Sequence, residues 1–79
     1  MTTAARVLDV LARVVESDDV RDKPELPLYG ELLDSMRTVE LLVALEEAFG
    51  IQISAAELDR EEWATPSRVV SFVERRLTA

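Results

Sequence analysis

Asp34 and Ser35 sit side by side at the mouth of an apolar run, Met36-Arg37-Thr38-Val39-Glu40-Leu41-Leu42, whose apolar positions recur at helical spacing. A hydroxyl placed there stands at the positive end of a helix dipole, where a phosphate ester is stabilised by backbone N–H groups. Asp and Ser are also favoured helix caps, and either side chain could do no more than accept a bond from the next turn. Position alone favours the cap, and the case for a modified serine has to come from what surrounds it, a long loop leading in and a wide, acid-rimmed apolar arc behind.

The competing chemistries are narrowed by what is missing. The chain has no cysteine and no histidine, which removes a thiol nucleophile, a Ser-His-Asp triad and an imidazole base and argues against zinc. The carboxylates fall on solvated faces with nothing to hold two of them together in a cleft, so an enzyme is not expected. Asp18, Asp19 and Asp22 lack the ligand spacing of an EF-hand, so no metal site is expected either. If this chain handles thioesters, an added group must supply the sulfur.

A formal charge of -7, from 16 acidic and 9 basic residues, repels nucleic acid and anionic membrane surfaces and favours partners with basic docking patches. The longest unbroken apolar stretch, Leu41 to Leu45, is far too short to span a membrane, and the N-terminus lacks the regions of a signal peptide. The expectation is a cytoplasmic monomer. With 79 residues, 48% of them hydrophobic, a single domain over 1–79 must draw its stability from helix-on-helix packing.

The elements that would position Ser35 follow from periodicity and caps. Thr3 is expected to cap a helix to about Glu16, with Val7, Leu8, Leu11, Val14 and Val15 inward. From Ser17 to Leu33 the periodicity lapses, and such a long loop needs a reason. Leu26, Leu28, Tyr29, Leu32 and Leu33 supply one, since they can strap it across the helices. A second helix spans Ser35 to Phe49 and stops at Gly50. Ile51-Gln52-Ile53 is an extended link, and Ser54 to Glu57 has the spacing of a capping box that starts a short third helix with Leu58 inward. Trp63 is expected in the core with its indole N–H on a carbonyl. Thr65-Pro66 opens a last helix that turns Val69, Val70, Phe72, Val73 and Leu77 to the core. The expected fold is all-α, a small bundle of three longer helices and one short one with a long first loop.

The second helix carries more apolar surface than a core needs. Leu41, Leu42, Leu45 and Phe49 make one sector and Met36, Val39 and Val43 a second, together an arc of about 200° against the ~100° stripe of a core-facing helix. Glu46 lies at the boundary of the sectors, and Glu40 and Glu47 lie beyond the second one. An exposed apolar strip with an acidic rim points to a partner site. A wide arc packed under the strap is the competing reading.

With those residues in place, the sequence resembles a family. Leu33-Asp34-Ser35-Met36 is similar to the Asp-Ser-Leu/Met signature of acyl and peptidyl carrier proteins. The run from Thr38 to Ile51 resembles the second helix of a fatty-acid carrier, and the tail Glu57 to Pro66 is similar to the D-alanyl carrier proteins of teichoic acid modification. The resemblance covers nearly the whole chain. It implies that Ser35 carries 4′-phosphopantetheine, attached from coenzyme A by a phosphopantetheinyl transferase, with Asp34 helping to position the arm or the transferase's metal. It also implies that Met36, Arg37, Val39, Glu40, Val43, Glu46 and Glu47 form the surface read by partner enzymes. Two positions depart from relatives: fatty-acid carriers have Gly where Leu33 stands, and D-alanyl carriers often have Gly where Arg37 stands. A basic residue near the phosphate would change which enzymes dock.

All but one of the nine basic residues are Arg, the exception being Lys23, which suits a GC-rich coding sequence. On that ground the sequence ranks a stand-alone aminoacyl or acyl carrier of secondary metabolism first. Such a carrier would deliver a polyketide or macrolactam starter unit, as in vicenistatin-type pathways, between an amino-acid adenylation ligase and an acyltransferase or polyketide synthase. A D-alanyl carrier ranks second. A reading from another class is an unmodified acidic interaction module.

Overall fold

The structure is a computed structural model that describes residues 2–57 and 59–78. Four α-helices, α1 (Thr3–Val15), α2 (Asp19–Asp22), α3 (Ser35–Phe49) and α4 (Pro66–Thr78), are joined by irregular segments and two short 3-10 turns, Ala55–Glu57 and Arg60–Trp63. The all-α expectation holds, with three longer helices.

The packing hub is α1, which lies against both α3 and α4. Val7, Val10, Leu11, Ala12 and Val15 are its buried residues. Leu8 and Val14, expected inward, are only partly buried, because a helix between two neighbours turns a different stripe inward from one resting on a single core. Its cap is Thr2, one residue earlier than expected, whose Oγ1 accepts from the Ala5 amide at 3.1 Å. At the other end Glu16 takes a left-handed conformation, φ 57°. That costs a non-glycine residue on the order of 1–2 kcal/mol, and something must hold it there.

The long loop is indeed a strap, and it contains a helical turn that its breaker-rich sequence hid. α2 buries Val20 in the core, while Arg21 bridges Asp9 and Asp18. Donating to the Asp9 carboxylate and then to that of Asp18 raises the Arg21 guanidinium above its ordinary pKa. Beyond α2, Leu28 and Leu33 are fully buried and Leu26, Tyr29 and Leu32 partly so. The Leu28 amide donates to the Ala64 carbonyl at 2.9 Å, and the Leu33 amide donates back to the Leu28 carbonyl at 2.7 Å. Gly30, φ 107°, makes the turn between them, in a conformation that side chains disfavour. These bonds make the segment part of the body: the Cα radius of gyration is 11.1 Å, against about 11.6 Å for a compact chain of this length.

The expected short third helix is instead the pair of 3-10 turns. Half of the capping box forms, with the Ser54 amide donating to Glu57 Oε2 at 2.9 Å, but the Glu57 amide goes to the Ser54 carbonyl rather than its hydroxyl. A main-chain acceptor three residues back closes a 3-10 turn instead of propagating an α-helix. Leu58 lies outside the described residues. Trp63 is in the core as expected, its Nε1–H on the Glu57 carbonyl at 3.4 Å and its ring 4.9 Å from that of Phe72. Thr65 Oγ1 caps α4 through the Arg68 amide at 3.2 Å. Val69, Phe72 and Val73 are buried, but Leu77, expected inward, is 42% exposed, one turn beyond the last core contact.

Candidate functional site

α3 begins and ends where the sequence places it, and the details of its first turn decide between cap and site. The cap is Asp34: its Oδ1 accepts from the Arg37 amide at 2.8 Å, and its carbonyl accepts from the Thr38 amide at 2.9 Å and the Thr38 hydroxyl at 2.7 Å. Ser35 is therefore relieved of capping. It is the first helical residue and is exposed. Helix starts leave several amides without an intrahelical acceptor. With the Arg37 and Thr38 amides satisfied, those of Ser35 and Met36 have no acceptor among the described residues.

Beside Ser35 lies an open groove of about 620 Å³, walled by Tyr29, Gly30, Leu33, Asp34, Thr38, Val39 and Arg60. An exposed hydroxyl, two unpaired amides at the start of a 15-residue helix and a groove with apolar walls together fit a phosphate ester that continues into a slender polar chain. A larger groove, about 730 Å³, runs between α1 and α3 past Arg37, Glu40 and Glu47 but does not touch Ser35. The chemistry belongs to the smaller one.

Asp34 thus has a measurable structural duty. Asp34→Ala is expected to cost about 1 kcal/mol through loss of the cap, whereas Asp34→Asn, which keeps a side-chain acceptor, should cost much less. Thermal denaturation of the two variants checks this, and equal losses would mean that the carboxylate charge, not the cap bond, matters.

The remaining residues singled out from the sequence divide into two groups. Met36, Val39 and Val43 are exposed at 75%, 52% and 44%, so the second apolar sector of α3 is not packed under the strap. Glu40 and Glu47 are exposed as well. Glu46 has a duty within the fold, because its Oε2 accepts from the Ile53 amide at 2.8 Å and ties the chain after α3 back onto the helix. Arg37 turns away from Ser35: its guanidinium donates to the Val14 carbonyl at 2.9 Å and to Glu16 Oε2 at 3.2 Å. It therefore satisfies the C-terminal end of α1 and helps hold Glu16 in its left-handed conformation. Two residues were not expected at the site, Tyr29 having been read only as part of the strap. Tyr29 and Arg60 share the Ser35 groove, and the Arg60 guanidinium lies 4.6 Å from the centre of the Tyr29 ring. No local pattern could have joined a strap residue to one in a 3-10 turn.

A helical body that presents an exposed serine, free of capping duty, at the head of an acid-rimmed helix offers a place to attach a group. The sequence model of the phosphopantetheine attachment site matches residues 5–73, and the chain belongs to that family of carrier domains. Its members hold 4′-phosphopantetheine on a serine and are carriers, not enzymes. The chain is 52% identical over 66 residues to the D-alanyl carrier protein of Bacillus velezensis, an alignment covering 82% of this chain and 85% of that protein. It is 46% identical over 70 residues to the D-alanyl carrier protein of Lacticaseibacillus rhamnosus, covering 87% and 86%. With that of Listeria monocytogenes serotype 4a the identity is 40% over 75 residues, covering 94% and 96%. Among the described residues no helix is long and apolar enough to cross a membrane.

Proposed function

We propose that Ser35 bears the 4′-phosphopantetheine arm and that the chain uses it to carry an activated amino acid, D-alanine, between a ligase and an acyltransferase. The observation that carries the attachment point is the division of labour at the head of α3, where Asp34 makes the cap bond and leaves the Ser35 hydroxyl exposed. The thiol at the end of the arm supplies what the cysteine-free chain lacks, a sulfur on which to hold the acyl group. The chain's own residues orient the attachment: the Ser35 and Met36 amides favour negative charge at the ester, and the strap fixes the approach to Ser35.

D-alanine as cargo rests on the relatives, whose names specify it. They reverse the order suggested by the Arg-rich composition, which reflects the source genome more than the cargo. A carrier of polyketide starter units is thus the second reading, and teichoic acid D-alanylation is the pathway the first implies. Loading would take place in the cytoplasm, where coenzyme A donates the arm. The test is to load the phosphopantetheinylated protein with a D-alanine-activating ligase and ATP and to compare D-alanine with other amino acids by intact mass. Efficient loading by another amino acid in place of D-alanine would defeat the cargo assignment and leave the carrier reading standing.

Partner enzymes would read α3 through Met36, Val39 and Val43, with Glu40 and Glu47 matching basic residues opposite. Glu40→Lys together with Glu47→Lys should slow loading by tenfold or more. Each change should alter stability by only about half a kcal/mol, as surface changes usually do. Parallel loading kinetics and melting curves check this; a loss of stability that tracks the loss of loading would assign the pair a structural role.

A further inference from the structure

We infer that Arg60, stacked on Tyr29, pairs with the phosphodiester at Ser35 and thereby holds the first part of the arm in the groove lined by Tyr29, Leu33 and Val39. The inference rests on Ser35 bearing the arm and adds a positioning residue to that site.

Charge decides the assignment. A phosphodiester on Ser35 would enter a protein of net charge -7 immediately beside the Asp34 carboxylate. Two cations come into question. Arg37 is nearer in sequence, but its guanidinium is committed to the Val14 carbonyl and Glu16 at the end of α1. Arg60 lines the Ser35 groove itself and is the one cation that does so among the described residues, with Asp34 the one anion. No carboxylate of the described residues lies within ion-pair distance of Arg60. Its guanidinium rests instead 4.6 Å from the Tyr29 ring centre, an arrangement that restrains the side chain while leaving the N–H edge free to donate. A planar, charged donor held at the wall of a groove is suited to a phosphate oxygen. Beyond the phosphate, the arm's pantoyl methyl groups would meet the apolar wall formed by Leu33, Val39 and the Tyr29 ring.

Tyr29 is itself held from below. The Leu28 amide is bonded to the Ala64 carbonyl, so the strap that carries Tyr29 and the segment that carries Arg60 are joined by backbone a few residues from the stack. The cation and its aromatic platform therefore belong to one tied unit.

The test compares wild type, Arg60→Gln, Arg60→Lys and, as a control on α4, Arg68→Gln, each converted with coenzyme A and a broad-specificity transferase and weighed intact. Phosphorus NMR of the attached arm and Overhauser contacts from its pantoyl methyls to Tyr29 and Val39 are then recorded. In wild type and Arg68→Gln the contacts are expected to be strong. In Arg60→Gln they should weaken severalfold, and the phosphorus shift should move toward that of the same phosphodiester in the urea-unfolded modified protein. Arg60→Lys should keep most of the phosphorus shift, which a purely structural role would not produce. Arg60 is exposed, so melting curves should coincide. Full modification with unchanged contacts and shift in Arg60→Gln would overturn this inference and leave Ser35 as the attachment point. Wild type that gains no mass would overturn both.

Discussion

Ser35→Ala is expected to abolish completely the mass gained from coenzyme A, and with it every later loading step, while the protein stays folded. Few substitutions can separate function from stability so cleanly, and the reason is local. Ser35 makes no cap bond, because Asp34 Oδ1 takes the Arg37 amide, and its side chain is exposed, so removing the hydroxyl leaves no buried partner unsatisfied. Alanine is also a better helix former than serine by a few tenths of a kcal/mol, roughly. The melting temperature should accordingly hold or rise slightly. Intact mass and thermal denaturation on the same sample check both halves. Mass gain that persists in the variant would move the attachment to one of the other serines, Ser17, Ser54, Ser67 or Ser71, and with it the whole account of the site. A chain that gains no mass even as wild type would instead favour an unmodified interaction module.

The largest expected effect on stability lies in the segment between α3 and α4. Trp63→Ala should cost about 3–5 kcal/mol. A chain of this length has about 4–12 kcal/mol in all, so the variant gives up a large share and should melt at least ~10 °C lower. The side chain is fully buried, packs on Phe72 and closes the two 3-10 turns through the Glu57 carbonyl. Trp63→Phe keeps an aromatic ring against Phe72 and loses the indole donor, and should fall between the two. Urea or thermal unfolding followed by circular dichroism measures the series. A loss under about 1 kcal/mol for the alanine variant would mean that the segment between α3 and α4 is held by something other than this residue. The damage should also reach the site, because Ala64, the next residue, holds the strap through its carbonyl.

How far the sequence could be read depended on how local each signal was. The boundaries of α3 are set by an Asp cap and a C-terminal Gly and came out residue for residue. The exposure of Met36, Val39 and Val43 followed from an arc too wide for one core. What periodicity could not resolve was anything settled by a distant partner. α2 hid among breaker residues because a single turn that buries Val20 is too short to show a period. The capping box became a 3-10 turn through a choice between two acceptors on the same residue, Ser54. Arg37, read from the sequence as part of the surface that partner enzymes meet, also serves the end of α1, a duty that no local pattern announces. Arg60 and Tyr29 come together only through the tertiary fold. The relatives favour the D-alanyl reading that composition ranked second, because codon-driven composition says little about what a flexible arm holds.

Of the 15 residues of α3, Thr38, Leu41 and Leu45 are buried, and Leu42, Ala44, Ala48 and Phe49 pack partly against the core. The helix that partners would read is thus joined to the fold along one side, while its other face, with Met36, Val39, Glu40, Val43 and Glu47, is exposed and under little demand from the core. Substitutions on that outer surface are close to neutral for folding, so lineages can exchange one set of client enzymes for another by drift and selection at those positions without passing through unfolded intermediates. The same latitude explains why one architecture can persist while its clients change, and why a carrier's ancestry is easier to recover than its present employment.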